Sequence, residues 1–371
     1  MSVATTDEAS VRARTAPAGL GSTFTTWLLK EEIGGRVDGE LAIVLSSVAL
    51  ACKQIASRVQ RAPVAGDTGL AGDVNVQGED QKKLDVVANE IFCDVLRTSG
   101  RTGVIASEEE DVPVAVEETY AGNYVVVFDP LDGSSNLDAA VSTGSIFGVY
   151  DSDEQCVPDF DAEDDAAVEE KCIANVCQAR PLHLHSHRGN NLQAAGYCMY
   201  SSSTMLVLTV GDGVYMFTLD ASIGEFVMSH ERVRIPERGR IYSFNEGNAK
   251  ARSISHCEGL KRYADDLRAG GIDQNGKPYS ARYIGSLVGD FHRTLLYGGI
   301  YGYPGDAKNP NGKLRLLYEC APMSFIAEQA GGMGSTGTGR VMDVEPSEVH
   351  QRVPFYVGSA KEVQYLESFL A

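Results

Sequence analysis

Residues 125–136 read VVVFDPLDGSSN, an apolar run that ends in two acids and a tight turn. The run from Val125 to Phe128 is typical of a strand that is buried on both faces of a sheet. Asp129 and Asp132 follow at once, and the small residues from Gly133 onward predict a turn. Acids at the carboxyl ends of separate strands can converge on the crevice where open α/β sheets bind ligands. The stretch therefore predicts an α/β fold with a ligand site at the end of this strand.

Helical and strand patterns surround this stretch, in a chain of 371 residues that can hold two domains or one large one. Apolar residues at helical spacing predict helices at 23–32, 38–61, 82–99, 256–269, 285–297 and 321–330. Strands are predicted at 103–106, 124–128, 145–150, 196–200, 205–210, 213–219 and 354–358, and residues 62–78 are expected to form a Gly-rich loop.

The chain is strongly acidic, with 32 basic and 51 acidic residues and a formal net charge of −19. This balance argues against a nucleic-acid partner, because a binder needs a cationic surface to displace counterions. Metal ions or local Lys and Arg residues could still reverse the sign inside a pocket for an anionic small molecule. No stretch approaches the roughly 18 apolar residues of a membrane helix, so no membrane association is expected.

The N-terminal residues 1–22 are small and polar and lack the apolar core of a secretory signal. Their Ser, Thr, Ala and Arg content is similar to part of a transit peptide, although they include Asp7 and Glu8. A flexible tail is expected.

Carboxylates recur where apolar segments end or helices begin. These acids are Glu79, Asp85, Glu108, Glu109, Asp129, Asp132 and Glu319. Like charges repel strongly at short range, so such a cluster needs cations. Oxygen ligands select hard divalent ions, which predicts Mg²⁺ or Mn²⁺, and the turn could aim the carbonyl of Leu131 at the same ion. The alternative is that each acid is an ordinary strand-end or turn residue.

Two further groups of residues suit phosphate and sugar. Gly133, Ser134 and Ser135 offer backbone N–H groups and hydroxyls at a predicted helix N-terminus, which is a phosphate cradle. Metal ions beside such a cradle indicate phosphoryl chemistry. The second group mixes bases with tyrosines and comprises Arg282, Tyr283, Tyr303, Lys313 and Arg315. Bases suit a second phosphate and tyrosines can hydrogen-bond sugar hydroxyls, with surface ion pairs as the alternative.

Six blocks of this sequence resemble the fructose-1,6-bisphosphatase family. They are GEDQKKLD (78–85), ASEEED (106–111), FDPLDGSSN (128–136), NEG (245–247), ARYIGSLVGDFHRTLLYGGIYGYP (281–304) and GKLRLLYECAPM (312–323). The resemblance implies a layered α/β/α/β/α sugar-phosphatase fold. It also implies an N-terminal domain at 23–220 with a regulatory acidic loop at 151–189, and a C-terminal sugar-phosphate-binding domain at 221–371.

The resemblance implies Mg²⁺-dependent hydrolysis of the 1-phosphate of fructose 1,6-bisphosphate to fructose 6-phosphate. It places two or more Mg²⁺ ions per subunit, for which Mn²⁺ can substitute, on Glu79, Glu108, Glu109, Asp129, the carbonyl of Leu131, Asp132 and Glu319. Position 79 holds Glu where many relatives have Asp. The implied catalytic residues are Asp85, Glu108 and Glu109, and Glu109 with Asp85 would take a proton from the attacking water.

The resemblance also assigns the substrate contacts. Gly133, Ser134 and Ser135 match the cradle of the 1-phosphate, and Asn245, Tyr283, Tyr303 and Lys313 match contacts to the 6-phosphate and the sugar. Arg282 matches an arginine that reaches in from the neighbouring subunit, which implies a homotetramer. A tyrosine that many relatives place on the 6-phosphate is replaced by Asn248, and the positions of the AMP inhibitor site read Asp38, Ala42 and Asn123, which predicts weak AMP inhibition.

Residues 151–171 carry ten acids and one base, so we expect an exposed loop. The block resembles the extra loop of the chloroplast enzymes, whose cysteines are regulatory. By that resemblance Cys156, Cys172 and Cys177 are redox-regulatory, and thioredoxin would reduce a Cys156–Cys172 bridge and so restore Mg²⁺ binding. The chain is then expected in the chloroplast stroma, in the photosynthetic carbon cycle and starch synthesis. Three unpaired loop cysteines are the alternative.

Other interpretations remain open at this point. Sedoheptulose-1,7-bisphosphatase shares DPLDGSS, although the YECAPM and ARYIGSLVGD blocks are closer to the fructose enzyme. A non-catalytic redox-responsive scaffold is disfavoured, because a site that has lost its catalytic function has no need for so many converging carboxylates. Three alternating histidines in the stretch 179–188 could bind a metal on a strand, but a surface insertion without a role is the simpler interpretation.

Overall fold

A computed structural model of the chain describes residues 22–74, 80–115, 124–151, 165–177, 191–247, 255–273, 277–307 and 309–371. Several predicted features lie outside these residues. They are the N-terminal tail, Glu79, Asn123, Cys156, the stretch 179–188 and Asn248.

The described strands form two large sheets and one small hairpin. The strands are β1 Leu70–Val74, β2 Asp80–Lys82, β3 Thr102–Ser107, β4 Val114–Ala115, β5 Tyr124–Asp132, β6 Thr143–Asp151, β7 Leu192–Tyr200, β8 Thr204–Thr209, β9 Tyr215–Asp220, β10 Glu225–His230, β11 Ile241–Phe244, β12 Ser280–Ala281, β13 Ile300–Tyr303, β14 Gly332–Ser335 and β15 Phe355–Ser359. The larger sheet has the order β10-β9-β8-β7-β6-β5-β3-β4, the smaller one has the order β12-β11-β13-β15-β14, and β1 pairs with β2.

The helices flank these sheets. They are α1 Phe24–Ile33, α2 Gly39–Val59, α3 Ala62–Ala65, α4 Lys83–Ser99, α5 Asp165–Cys177, α6 Ser255–Ala269, α7 Leu287–Tyr297, α8 Ala321–Gln329 and α9 Ala360–Leu370. Side-chain caps explain two of the starts, because Asp38 accepts from the N–H of Leu41 at 2.7 Å and Ser286 accepts from that of Gly289 at 3.2 Å. The helices predicted at 23–32, 38–61, 82–99, 256–269, 285–297 and 321–330 are confirmed as α1, α2, α4, α6, α7 and α8.

Three apolar clusters separate five layers. The first lies between α1, α2 and α4 and one face of the larger sheet. The second joins the other face of that sheet to α5, α7, α8 and the inner face of the smaller sheet. The third packs the outer face of the smaller sheet against α6 and α9. This order is the predicted α/β/α/β/α architecture.

Strand β5 lies in the interior of the larger sheet and is buried on both faces, as its sequence predicts. Val125 and Val127 belong to the second cluster, whereas Val126 and Phe128 belong to the first. All four side chains are fully buried. The strand is therefore fixed from both sides before it delivers its two acids to the site.

Three sequence expectations were wrong. Residues 62–78 were expected to form a loop, but they include helix α3 and strand β1. The acidic block was expected to be a loop, but its end forms α5, in which Val168, Cys172 and Val176 are buried at a spacing of one helical turn against the larger sheet. No membrane-length segment was expected, yet among the described helices α2 is long and apolar enough to span one. Half of that stretch is buried in the structure, and a core helix of a soluble protein meets the same criterion.

Candidate active site

The end of β5 is irregular, and this irregularity brings Asp129 and Asp132 together. Asp129 pairs with Ile146 of β6 but Asp132 pairs with Gly144, so the strand bulges between the two acids. Residues three apart in a regular strand face opposite sides of the sheet, and the bulge removes that constraint. The N–H of Leu131 donates to the Asp129 carboxylate at 2.9 Å, which holds the turn.

Helix α7 fixes the second acid from the far side of the site. The hydroxyl of Ser286 donates to Asp132 Oδ2 at 2.9 Å, and the backbone N–H of Val288 donates to the same oxygen at 3.0 Å. These groups lie at the start of α7, where unpaired N–H groups favour a carboxylate. Asp132 is thus oriented by a segment that lies 154 residues away in the chain.

The third acid lies on a turn of π-helix, Leu316–Cys320, that leads into α8. The backbone N–H of Arg315 donates to Glu319 Oε2 at 2.6 Å. One carboxylate oxygen each from Asp129, Asp132 and Glu319 lies within 4.8 Å of the others, and all three residues are buried. This three-carboxylate group, Asp129, Asp132 and Glu319, could hold a metal ion.

Glu108 and Glu109 follow β3, which is parallel to β5, so they lie at the same edge of the sheet as Asp129. The N–H of Glu108 donates to the carbonyl of Phe128 at 3.1 Å. The side chain of Glu108 pairs with Arg315 at 2.8 Å, and Glu109 accepts a hydrogen bond from Gln81. The two predicted acids are therefore brought next to the three-carboxylate group.

Asp85 lies in the first turn of α4, where it accepts from the backbone N–H of Lys82 at 2.8 Å. Burial is the main cause that raises the pKa of this carboxyl to about 7, and the charges of Glu109 and Glu108 add to the increase. Hydrogen bonds from the N–H of Lys82 and from Ser134 oppose it. A carboxyl whose pKa lies near neutrality is suited to accept and release a proton.

Burial also raises the pKa values of the three-carboxylate group. The pKa of Asp129 lies well above its ordinary value, because burial and the neighbouring carboxylates disfavour its charge. Burial raises the pKa of Glu319, although the charge of Arg315 opposes the increase. Burial also raises the pKa of Asp132 to about 6. A bound cation would reverse this balance and favour the ionised forms. Since the donors are carboxylate oxygens, the group fits a hard divalent ion.

The predicted phosphate cradle begins at the end of β5. Gly133 has φ +73°, a left-handed conformation that favours glycine, and a Cβ there would lie 3.1 Å from the Cβ of Ser286. Ser134 and Ser135 open a 3₁₀ helix, Ser134–Ala139. Because this turn directly follows Asp132, its hydroxyls and N–H groups lie beside the carboxylates.

Three of the four predicted sugar and 6-phosphate contacts, Asn245, Tyr283 and Tyr303, share one edge of the smaller sheet. Strands β12, β11 and β13 are parallel neighbours, so their carboxyl ends lie at the same edge. Asn245 follows β11, Arg282 and Tyr283 follow β12, and Tyr303 ends β13. Arg282 and Tyr283 are exposed, as is Lys313. The backbone of Arg282 is fixed, since its N–H donates to Tyr242 at 2.9 Å and its carbonyl accepts from Arg293 at 2.8 Å.

Arg315 lies elsewhere than its sequence group suggests. The sequence groups it with the substrate contacts, but its side chain is 5% exposed and contacts Glu108, with Glu319 at 3.9 Å. Its backbone N–H also donates to Glu319. In the structure Arg315 therefore belongs with the carboxylates and offsets part of their charge.

Sequence reasoning missed several residues that hold this site. The hydroxyl of Ser286 and the N–H of Val288 orient Asp132, and Gln81 donates to Glu109. Asp290 accepts from the backbone N–H groups of Ile284 and Gly285 at 2.9 and 3.1 Å. Ser286 carries a recognisable signal, because it precedes the apolar run of α7 as an N-cap residue. That signal predicts the start of a helix but does not name the distant carboxylate that the hydroxyl contacts.

A cavity of about 740 Å³ lies between residues 309–312 and 347–354, and it is lined by none of the predicted site residues that the structure describes. Most of the residues that line it are polar. We assign the candidate site to the carboxylates instead, because their charge, burial and convergence carry the chemistry.

The comparisons with known proteins agree with this geometry. A family model described as the N-terminal domain of fructose-1,6-bisphosphatase matches residues 22–231, and one described as the C-terminal domain matches residues 235–371. The chain belongs to the fructose-1,6-bisphosphatase family.

Relatives named chloroplastic fructose-1,6-bisphosphatase are similar to the chain over most of its length. The protein of Brassica napus is 66% identical over 352 residues, which are 94% of this chain and 82% of that protein. The protein of Spinacia oleracea is 64% identical over 352 residues, which are 94% and 81% of the two chains. The crystal structure of Leishmania major fructose-1,6-bisphosphatase in holo form matches with a TM-score of 0.81 at 40% identity, covering 94% of this chain and 98% of that one. The family fold is thereby shown.

The raised pKa of Asp85 predicts how the stability of the metal-free protein changes with pH. The pKa is about 7 in the folded state and 3.8 in a model peptide, so between these values the folded state binds a proton that the unfolded state has lost. Its contribution to the free energy of unfolding is therefore favourable at the acidic end and is lost as the pH rises through about 7. Thermal unfolding in chelator from about pH 5 to pH 8 should show a smaller loss of stability for Asp85→Asn than for the wild type. Asp94→Asn, at an exposed position of the same helix, should follow the wild-type curve, and parallel curves for all three proteins would contradict the prediction.

Proposed function

We propose that the protein hydrolyses the 1-phosphate of fructose 1,6-bisphosphate to fructose 6-phosphate and phosphate in a Mg²⁺-dependent reaction. The observation that carries this proposal is the three-carboxylate group, Asp129, Asp132 and Glu319, within 4.8 Å beside a Gly-Ser-Ser turn on a fructose-1,6-bisphosphatase fold. Relatives that are 62–66% identical bear the same activity in their names.

The residues of the site have separate tasks in this reaction. Asp129, Asp132 and Glu319, with Glu108, Glu109, Glu79 and the carbonyl of Leu131, hold the divalent ions. When bound, such ions polarise the phosphoryl oxygens and stabilise the charge that develops on the leaving oxygen. Asp85 lies within hydrogen-bonding reach of Ser134 in the turn, and burial is the main cause that raises its pKa, so it can hold the proton that Glu109 removes from the attacking water.

Substrate binding uses both sheets. The turn Gly133 to Ser135 holds the reacting phosphate beside the carboxylates. The shared edge of the smaller sheet presents Asn245, Tyr283 and Tyr303 to the sugar and the 6-phosphate. Lys313 is an exposed cation beside Leu314, whose carbonyl accepts from the N–H of Val353 just before β15. Arg282 has a fixed backbone and an exposed side chain, which suits a contact across a subunit boundary in a homotetramer.

We further propose a chloroplast location and regulation by thioredoxin. The relatives cited above are named as chloroplastic proteins.

In the structure Cys172 is a free thiol that is fully buried, and burial raises its pKa to about 12. A bridge between Cys156 and Cys172 would engage the buried face of α5, which packs against the larger sheet beside β6, the strand that pairs with β5. Two electrons and two protons from a thioredoxin dithiol would break the bridge and return both thiols.

The assay that tests the proposed activity measures phosphate release. Wild type with Mg²⁺ and a dithiol reductant should hydrolyse fructose 1,6-bisphosphate, and a chelator should abolish the activity. Asp129→Asn should lower the rate by about 100-fold or more, because one central stabilising group is lost. Asp265→Asn, an exposed acid of α6, is the control and should retain wild-type activity.

Three outcomes would count against the proposal. Equal activity in chelator would exclude the metal-dependent reaction. A strong preference for sedoheptulose 1,7-bisphosphate would favour the alternative substrate. No release of phosphate from either sugar bisphosphate by the reduced, Mg²⁺-supplied protein would favour a non-catalytic scaffold.

The redox proposal has a test of its own. Under oxidising conditions Cys156→Ser should be more active than wild type at limiting Mg²⁺, since it cannot form the bridge. Cys93→Ser, which changes a buried free cysteine on α4, should lose activity on oxidation as the wild type does. Equal activity of Cys156→Ser and wild type after oxidation would remove the regulatory role of this bridge.

A further inference from the structure

One histidine outside the predicted site bonds two of the segments that carry its acids. His350 lies in the loop before β15, half-buried. Its Nε2 is 3.0 Å from the carbonyl oxygen of Glu110, and its Nδ1 is 2.8 Å from the hydroxyl of Tyr318. Glu110 directly follows Glu109, and Tyr318 directly precedes Glu319.

We propose that His350 is a positioning residue for the metal site, which holds the segment of Glu108 and Glu109 against the segment of Glu319. The inference rests on the proposed function, because it takes these acids as ligands of the same group of ions.

The two hydrogen bonds of His350 fix its tautomer. A carbonyl oxygen can only accept, so Nε2 carries the proton and donates it to Glu110. In the neutral ring Nδ1 is then the acceptor for the hydroxyl of Tyr318. The two rings also meet edge to face, with centroids 5.9 Å apart at 72°, and Tyr318 is fully buried. One neutral side chain thereby links two backbone segments that are far apart in the chain.

The Glu110 end of this link is itself fixed to the larger sheet. Asn89 of α4 donates to the Glu110 carboxylate at 2.7 Å and accepts from the hydroxyl of Ser107 at 2.7 Å. The loop after β3 is therefore held from α4 on one side and from His350 on the other. Loss of the His350 side chain would therefore release the loop after β3 only on the side that faces Glu319.

The loop of His350 also contacts the helix that carries Cys172. The backbone N–H of Val349 donates to Glu169 of α5 at 3.0 Å. A movement of α5 would therefore act on the residue next to His350. This contact connects α5, through Val349 and His350, to the segments that carry the carboxylates.

Groups that hydrogen-bond metal ligands commonly change metal affinity by 10- to 100-fold when they are replaced, and His350 bonds the residues directly beside the ligands. We therefore expect His350→Ala to raise the Mg²⁺ concentration for half-maximal activity by about 10-fold or more, with a smaller effect on the rate at saturating Mg²⁺. His350 lines the cavity between 309–312 and 347–354, so a smaller side chain opens onto that space rather than leaving a sealed void. Tyr318→Phe removes a single hydroxyl and should give a shift in the same direction.

His292 offers a matched control. It is buried, its Nδ1 is 2.8 Å from the hydroxyl of Tyr197, and the two rings meet with centroids 5.9 Å apart. His292→Ala should lower the melting temperature but leave the Mg²⁺ dependence near that of the wild type.

The experiment measures Mg²⁺ binding both with and without turnover. Calorimetric titration of Mg²⁺ into reduced protein, with fructose 6-phosphate and phosphate present, should show weaker uptake by His350→Ala and Tyr318→Phe than by wild type and His292→Ala. Activity against Mg²⁺ should give the same order. Equal Mg²⁺ affinity in all four proteins would overturn the positioning role, as would equal weakening by His292→Ala. An inactive wild type that takes up no Mg²⁺ would instead remove the proposed function.

Glu169 tests the connection to α5. Glu169→Ala removes the acceptor for the N–H of Val349, whereas Glu169→Gln keeps it. We expect Glu169→Ala to shift the Mg²⁺ dependence in the direction of His350→Ala and Glu169→Gln to restore wild-type behaviour. Wild-type Mg²⁺ dependence in Glu169→Ala would show that the path through Val349 is not used.

Discussion

The structure depends on the close burial of carboxylates that repel one another. Asp129, Asp132 and Glu319 lie within 4.8 Å in the interior, with Glu108 and Asp85 also buried nearby. Taking one charge out of water is costly, and placing like charges together adds to the cost. Apolar residues of similar volume would give a more stable interior, so the cluster is explained by what it binds rather than by what it contributes to folding.

The fold meets this constraint by giving the acids hydrogen-bond donors or a cation, some from their own turn and some from a distant segment. The start of α7 holds Asp132, the π-helix turn holds Glu319, and Arg315 pairs with Glu108. These segments come from both halves of the chain and meet only because α7 and α8 lie between the two sheets. The layered architecture is thus the means by which distant acids reach one site, and His350 adds a link across the same site.

Much of the fold could be predicted, because helical and strand periods are local signals. The run Val125 to Phe128 predicted a doubly buried strand, and its side chains divide between two clusters. Helix α5 was missed because the density of acids outweighed three apolar residues at a spacing of one turn. Strands β1, β2, β4 and β10 to β14 and helices α3 and α9 also went unpredicted, since short strands and short or terminal helices depend on tertiary packing.

The site was less predictable than the fold. The acids were found because they follow apolar runs, and the structure brings the described ones together. Their supports were missed, because Ser286 contacts a carboxylate 154 residues away and His350 contacts a carbonyl 240 residues away. Such pairs leave no periodic pattern in one sequence. Arg315 was grouped with the substrate contacts because spacing alone does not say which side of a strand-like segment an arginine faces.

The most direct test of the central claim is anomalous diffraction from crystals of the reduced protein grown with Mn²⁺, fructose 6-phosphate and phosphate. The account predicts anomalous peaks about 2 Å from carboxylate oxygens of Asp129, Asp132 and Glu319, as expected for a small hard cation. Saturating Mn²⁺ with no anomalous peak among these three side chains, or with peaks only at surface acids, would contradict it.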